Sequence, residues 1–160
     1  FYTAAQQVYG DIAAFGNAAQ YDEIRIDERK ILDITVSLAE IVYEIDAFGR
    51  VAECVRRFML TAEQAMGMFR DQDDRLPEKL RELAEKQDRT RIAFYHRVGR
   101  NDTFRKGRLG PDGKRWYSRY STECDSTLIR VRGYDDMPFY APRWDVDTGH
   151  IYGTGPAFAA

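Results

Sequence analysis

The chain has 160 residues, of which 44% are hydrophobic and 31% are charged, and its 24 basic and 26 acidic residues give a net charge of -2. This composition excludes a wholly disordered chain, and the small net charge excludes attraction to nucleic acid or to an anionic membrane by the field of the whole molecule. No run reaches the ~18 uninterrupted apolar residues of a membrane-spanning helix, so we predict no transmembrane segment.

The first predicted element is a short amphipathic helix from Tyr2 to about Ala19. Its apolar residues follow helical spacing, although two glycines lower its helix propensity. Asp22 or Asp27 is placed to cap the helix that follows.

The most regular feature of the sequence is a seam of apolar residues that alternate three and four positions apart. The spacing predicts helices, because residues three and four apart share one helix face. A single helix of this length would be ~58 Å long, so we favour an antiparallel pair broken at residues 48–50 over one long helix. Additional apolar residues widen the stripe and favour a bundle over a thin coiled coil. The seam consists of Ile31, Ile34, Leu38, Ile41, Ile45, Phe48, Ala52, Val55, Met59, Ala62, Met66 and Phe69.

A further helix is predicted from Pro77 to about Val98, after a break at residues 71–74 that is rich in aspartate. Proline suits the first turn of a helix, and the mostly charged stretch 78–91 indicates one solvated side. With the preceding helices it forms a predicted helical domain. The predicted fold class is mainly α, either a small helical bundle or a long helical hairpin.

The character of the sequence changes after this helix. Glycines and turn dipeptides predict a basic, Gly-rich loop, and the segments 115–117 and 127–132 have strand patterns that predict a small β-hairpin. Prolines among large aromatic residues then predict an extended C-terminal tail. The predicted domains are the helical domain 1–98, the basic loop and hairpin 99–133, and the tail 134–160.

Residues with catalytic or metal-binding chemistry are few. A zinc site would need His96 and His150 together with a cysteine from a distant segment, and Cys124 lacks the local signature of a nucleophile. Calcium-loop spacing fails in both 71–82 and 145–156, where the required glycine is missing. The two cysteines form no disulfide-dense framework, which fits a reducing intracellular compartment and leaves a single bridge between them as the alternative. We predict no catalytic residue, metal ligand or cofactor, and a protein that is not an enzyme.

The segment from Arg97 to Arg119 is strongly basic. It carries eight basic and two acidic residues, a charge of +6, with aromatic residues interleaved. It is either solvated and paired with the protein's own acidic residues, or it binds an acidic protein surface, RNA phosphates or anionic lipid headgroups. We rank an acidic protein surface above nucleic acid because no RNA-recognition motif accompanies the arginines. The predicted partner-binding residues are Arg97, Arg100, Arg105, Lys106, Arg108, Lys114, Arg115, Trp116, Arg119, Phe139, Tyr140 and Trp144.

In layout, the chain resembles the accessory subunits of mitochondrial energy-transducing complexes. It combines a helical core without catalytic residues, an Arg-rich aromatic segment and a Pro/aromatic tail, and Phe1 as first residue fits a processed import precursor. The resemblance implies a non-catalytic structural or assembly subunit, intracellular and mitochondrial, that packs against other protein subunits of a respiratory or ATP synthase complex. The alternatives are an RNA-binding or anionic-lipid-binding module that uses residues 97–120, and a small hydrolase or toxin domain.

Overall fold

The computed structural model describes residues 2–25, 29–70, 75–124, 127–147 and 149–158. Short 3-10 helices cover Pro111–Gly113 and Pro156–Phe158. No helix in these ranges is both long and apolar enough to cross a membrane. The regular elements are α1 (Tyr2–Phe15), β1 (Gln20–Arg25), β2 (Lys30–Thr35), β3 (Ile41–Ile45), β4 (Val51–Thr61), α2 (Ala62–Met68), α3 (Glu78–Glu85), β5 (Arg91–Arg100), β6 (Trp116–Thr122), β7 (Leu128–Tyr134) and β8 (Phe139–Tyr140).

The protein is mostly β, so the prediction of a mainly α fold was wrong. Its strands form a three-stranded sheet of order β2-β1-β8 and a five-stranded sheet of order β3-β4-β5-β6-β7. The chain divides into two compact units: unit 1 comprises Phe1–Cys54 and Met137–Ala160, and unit 2 comprises Val55–Asp136. Strand β4 passes from unit 1 into unit 2.

The apolar seam that predicted helices runs through β2, β3, β4 and α2 instead. In β3, Ile41 and Tyr43 are buried whereas Val42 and Glu44 are exposed, which is the two-residue period of a strand. The Ile and Val residues of the seam also prefer strands, because their branched side chains pack well on a pleated surface. The helical spacing arose from the particular lengths of short strands and turns, and neither a helical bundle nor a helical hairpin occurs in the described ranges.

The predicted helix break at residues 48–50 is a turn between β3 and β4. The Asp46 carboxylate accepts hydrogen bonds from the backbone N–H groups of Phe48 and Arg50, each at 2.9 Å, and Gly49 has a φ of 75°. The Arg50 N–H group, followed by that of Phe48, lowers the pKa of Asp46. A glycine in this left-handed region suits a tight turn, because other residues are strained there.

Unit 1 is built on the three-stranded sheet. Tyr21 of β1 and Phe139 of β8 stack with ring centroids 4.7 Å apart. Both are buried, and their strands pair antiparallel. Helix α1 contacts β2 where the Thr35 hydroxyl donates to the Ala4 carbonyl at 3.0 Å. The region predicted as an extended tail therefore supplies an edge strand to the sheet of unit 1, with Phe139 buried.

The remainder of the C-terminal region is also held by unit 1. The Asn17 amide donates to the Gly153 carbonyl and accepts from the Gly153 N–H group, both at 2.7 Å. Arg143 donates to the Gly49 carbonyl at 2.6 Å. These contacts correct the prediction of an extended tail, because they tie this region to residues about a hundred positions or more away in sequence.

Unit 2 has its own apolar core between its part of the five-stranded sheet and helices α2 and α3. A capping box begins α2, with Thr61 and Gln64 each bonding the other's backbone N–H group. The core side chains are Phe58, Ala62, Ala65, Phe69, Leu76, Leu80, Phe94, Tyr120 and Ile129.

The helix predicted from Pro77 to about Val98 is wrong over its second half. Helix α3 ends at Glu85 and β5 begins at Arg91. Gln87 adopts a φ of 52° in between, which a continuing helix does not allow. In β5, Phe94, His96 and Val98 are buried on alternate positions, which is a strand pattern.

Some sequence predictions fall on positions outside the described residues. They concern Asp27 as a helix cap and the aspartates at 71, 73 and 74, which begin the rejected calcium loop. The alternative cap, Asp22, lies within β1 and therefore begins no helix.

Candidate protein-interaction site

The candidate site is the loop between β5 and β6 in unit 2, residues 101–115, called the basic loop below. Its two strands pair antiparallel up to Arg100 opposite Trp116. The Asn101 N–H group then donates to the Arg115 carbonyl at 2.9 Å, which closes the loop at its base. All residues of the loop are exposed or half-exposed.

Side chains within the basic loop hold its shape. The Asn101 amide donates to the carbonyls of Pro111 at 3.0 Å and Lys114 at 2.9 Å, and its oxygen accepts from the Thr103 N–H group at 3.2 Å. The Thr103 hydroxyl lies 2.8 Å from Asn101 Oδ1 and 3.0 Å from Asp112 Oδ1. These bonds satisfy backbone groups that water would otherwise solvate, so the loop is preorganised although exposed.

The glycines of the basic loop occupy positions where the backbone conformation or the available space disfavours other residues. Gly107 and Gly110 have φ values of 84° and 78°, in the region that favours glycine. A Cβ atom on Gly113 would overlap the carbonyl oxygen of Arg108. The glycines of the loop therefore allow its particular closed shape, and they are not there to make the loop flexible.

The basic loop carries an almost fully exposed aliphatic residue among its cations. Leu109 is 95% exposed. Arg108 pairs with Asp112 at 3.4 Å and Lys114 with Asp135 at 2.6 Å, whereas the exposed Arg105 has no ion-pair partner among the described residues. Leu109 was not among the predicted partner-binding residues, and its signal in the sequence is a lone aliphatic residue in a polar loop among arginines and a lysine.

The strands below the loop continue the basic surface. Arg97 and Arg119 are directly opposite each other in the β5–β6 pair, and their guanidinium carbons lie 6.0 and 4.6 Å from the centroid of the Tyr117 ring. Arg100 lies over Trp116 at 5.4 Å. These distances are those of cation–π contacts, so the aromatic rings already support the arginines and fix their positions.

The predicted partner-binding residues divide between the two units. Those from Arg97 to Arg119 lie in unit 2, in or below the basic loop, and the aromatic ones of the C-terminal region lie in unit 1. Tyr140 and Trp144 are 53% and 63% exposed, whereas Phe139 is buried and stacks on Tyr21.

The residues considered for catalysis or metal binding lie in different settings. His96 is buried, stacks on Tyr120 with centroids 3.9 Å apart, and shares a 2.9 Å hydrogen bond with the Ser118 hydroxyl. His150 is exposed. Cys54 is buried and Cys124 half-buried, and both are free thiols. Within the described ranges, no group of three or more His, Cys, Asp or Glu side chains could hold a metal ion.

Burial and two neighbouring cations explain the state of His96. Burial, reinforced by Arg56 and Arg130, lowers the pKa of His96 to about 3, so the imidazole is neutral at physiological pH. Arg130 itself is buried, lies 4.9 Å from the Phe69 ring centroid, and donates to the Met68 carbonyl at 2.9 Å. These polar groups belong to the interior of unit 2, and their burial was not predicted from the sequence.

The whole chain, residues 1–160, matches the family model of bacteriophage head to tail connecting proteins, and the chain belongs to this family. No curated protein matches it. The family is structural and not enzymatic, so the protein works within a larger assembly and its partners are other phage structural proteins. The resemblance to mitochondrial accessory subunits was wrong, and so was the mitochondrial location, because the family places the chain in the phage particle. That resemblance depended on a helical core that the fold does not contain.

Proposed function

We propose that this connecting protein docks onto an acidic surface of another protein of the head–tail assembly through the basic loop. The observation that carries the proposal is Leu109, almost fully exposed in the middle of a loop whose backbone is held by its own side chains. An exposed aliphatic side chain on a preorganised loop gains free energy when a partner covers it, and little conformational entropy is lost on binding.

The charges around Leu109 indicate which partner surface fits. Arg105, Lys106 and Arg108 come just before Leu109 in the same exposed loop, so a partner that offers carboxylates beside an apolar patch is complementary. Such charges accelerate encounter and exclude wrong partners.

Each unit also has further exposed residues that we propose contact a partner. In unit 2, Arg97 and Arg119 are opposite each other on one face of β5 and β6, and Arg100 lies over Trp116 on the other face, at the base of the loop. In unit 1, Tyr140 and Trp144 offer exposed rings for a second contact.

The test is complementation of a phage whose own copy of the gene is inactivated. The variant R105E/K106E/R108E should keep the melting temperature of the wild-type protein, because exposed charges contribute little to stability. Its incorporation into purified particles, measured by immunoblot, should fall at least tenfold. Electron microscopy should show fewer heads joined to tails. The matched control is K79E/K86E/R89E, which changes the net charge equally on and after α3, at exposed positions. Equal incorporation of both triple variants would contradict the proposal.

Nucleic acid is tested in the same series. We expect no micromolar binding when the wild-type protein is titrated with mixed-sequence single-stranded RNA at 50 and 200 mM salt, since the aromatic rings below the loop are covered by arginines. RNA binding that falls steeply with salt and disappears in R105E/K106E/R108E would identify RNA, and not a protein surface, as the partner of the basic loop.

A further inference from the structure

A groove on unit 1 lies between helix α1 and the end of β2 with the turn that follows it. Its volume is about 520 Å³, and one wall is formed by Gln7, Asp11 and Phe15 of α1. These residues are four positions apart, so they lie on one face of the helix and extend over about 12 Å of its length. Thr35 and residues 37–39 form the opposite side. The groove is therefore long enough for about two turns of a helix from a partner.

Hydrogen bonds hold both sides of the groove in place. The Thr35 hydroxyl donates to the Ala4 carbonyl at 3.0 Å, which joins β2 to α1. The Ser37 hydroxyl accepts from the Ala39 N–H group at 3.3 Å, and the Ser37 carbonyl accepts from the Glu40 N–H group at 2.9 Å. The groove is therefore formed before a partner arrives, and binding there costs less conformational entropy than ordering a loop would.

The groove combines apolar walls with one carboxylate. Phe15 is 54% exposed, and Leu38 lines the same groove and is half-buried. Asp11 is also half-buried, and it has no ion-pair partner among the described residues. A lysine or arginine side chain complements this arrangement, because its apolar stem packs on Phe15 and Leu38 while its charged end pairs with Asp11. The ring of Phe15 also attracts a cation.

The chain around the groove is acidic. Unit 1 contains 5 basic and 12 acidic residues, a net charge of -7. Residues 1–24 and 31–49 include every residue of the groove, and they contain seven acidic residues and no lysine or arginine. Such a field attracts a cationic partner and repels an acidic one. Charge complementarity therefore indicates that the segment bound by the groove is basic.

We propose that this groove binds a basic amphipathic segment of another structural protein of the phage. An apolar side chain of the segment packs against Phe15 and Leu38, and a neighbouring lysine or arginine pairs with Asp11. The inference goes beyond the proposed function, since the groove lies in the other unit and has a chemistry opposite to that of the basic loop. The chain then has two docking sites, one for an acidic surface and one for a basic segment, and their opposite charges keep the two partners from exchanging sites.

Photo-cross-linking in assembled particles tests which molecule occupies the groove. Benzoylphenylalanine replaces Gln7, which is exposed and lines the groove, and particles are made by complementation. Mass spectrometry should find cross-links to a different phage structural protein, at a segment with lysine or arginine beside apolar residues. The control is benzoylphenylalanine in place of Tyr9, which is 72% exposed on another face of α1 and should not give this cross-link. Cross-links from position 7 confined to a second copy of this chain or to segments without basic residues, or none at all, would overturn the inference.

Substitutions in the groove give a quantitative test. The cross-linked segment, made as a synthetic peptide, should bind the wild-type protein in isothermal titration calorimetry, and more weakly at 500 mM than at 50 mM salt. Asp11→Lys should weaken binding at least tenfold because it places like charges together, and Phe15→Ser should do so because it removes an apolar wall. The matched control is Glu44→Lys, which changes the charge equally at an exposed position of β3 outside the groove. Equal affinities of D11K and E44K, both with the melting temperature of the wild-type protein, would overturn the inference.

The failure of this inference is distinguishable from the failure of the proposed function. D11K leaves the basic loop unchanged, so its particles should still contain the partner of that loop. R105E/K106E/R108E leaves the groove unchanged, so it should still bind the synthetic peptide. Loss of peptide binding in R105E/K106E/R108E would overturn the inference, because the segment would then depend on the basic loop and not on the groove.

Discussion

The basic loop and the C-terminal segment, residues 137–147 and 149–158, are both largely irregular and contain several glycines, yet they are held in opposite ways. The basic loop is closed by contacts between near neighbours, such as Asn101 with Lys114. The C-terminal segment is held by residues far away in sequence, such as Asn17 with Gly153. A locally closed loop can be altered without affecting its surroundings, whereas a segment held by distant contacts is part of the core of its unit. The comparison predicts which substitutions unfold the protein and which change only its binding.

The largest effect is expected for Gly16→Ala in the C-terminal contact. Gly16 has a φ of 71°, and a Cβ atom there would overlap the backbone at Thr154 and Gly155. Both strain and overlap lower the free energy of unfolding, by at least about 3 kcal/mol, as measured by urea denaturation. Gly107→Ala in the basic loop is the matched control, since its φ is also positive but nothing lies near its Cβ position. Equal losses in the two variants would remove the distinction between the segments.

Acidification should weaken the strands that carry the basic loop. The folded protein holds His96 with a pKa of about 3, whereas an unfolded histidine has its ordinary pKa near ~6.5. Between these values the unfolded state binds a proton that the folded state does not, so stability contributed by neutral His96 is complete above ~6.5 and is lost as the pH falls. The expected loss is about 1.4 kcal/mol per pH unit.

The variant H96Q isolates this contribution. Glutamine retains a hydrogen-bonding group for Ser118 but does not titrate, while every carboxylate of the protein is unchanged. Urea denaturation at pH 7 and pH 4.5 should therefore show a smaller loss of unfolding free energy for H96Q than for the wild-type protein. The same loss in both would show that His96 is not the group responsible.

A smaller effect is expected for Asn17→Ala. The Asn17 side chain is 7% exposed and bonds both the N–H group and the carbonyl of Gly153. Its removal leaves these backbone groups half-buried without their partner, which should lower the unfolding free energy by about 2 kcal/mol. Hydrogen exchange should then accelerate in both α1 and residues 149–158. Faster exchange in only one of these regions would show that Asn17 does not hold both of them.

The smallest effect on stability is expected for Asn101→Ala. The Asn101 carbonyl partners, Pro111 and Lys114, lie in an exposed loop, where water replaces the lost bonds. The unfolding free energy should fall by about 1 kcal/mol or less, while hydrogen exchange accelerates within residues 101–115 alone. Because the loop is no longer preorganised, partner binding should weaken more than stability does. Unchanged exchange in the loop would show that Asn101 does not organise it.

Part of this architecture was readable in the sequence. Gly107, Gly110 and Gly113 indicate turns, and the alternation in residues 127–132 corresponds to β7, although β7 belongs to a five-stranded sheet and not to an isolated hairpin. The strands from 31 to 61 were misread because a dense apolar pattern satisfies two periods at once. In β3 the alternation of buried and exposed side chains shows that the two-residue period is the correct one. That alternation becomes visible only when the fold is known. Strand β8 has only two residues, too few to carry any pattern.

For the candidate site, charge and position along the chain were readable and three-dimensional context was not. The basic residues from 97 to 119 do lie around one loop and its strands. The exposure of Leu109 depends on the loop's closed shape, which is set by Asn101 and Asp112 together. Phe139 has the same composition signal as Trp144, yet it is buried by pairing with Tyr21 across more than a hundred residues. Long-range pairing of this kind leaves no mark in a local window of sequence.

The closure of the basic loop by Asn101 and Arg115 has a consequence for how this surface changes over generations. Asn101, Thr103 and Asp112 form the frame, and Arg105, Lys106 and Leu109 are displayed on it. The residues that form the frame and the residues displayed on it are at different positions. Mutations can therefore exchange one set of displayed side chains for another without altering the frame. Side chains of the displayed set can thereby change in single steps while the frame is kept, and outside residues 101–115 the loop has an ion pair from Lys114 to Asp135.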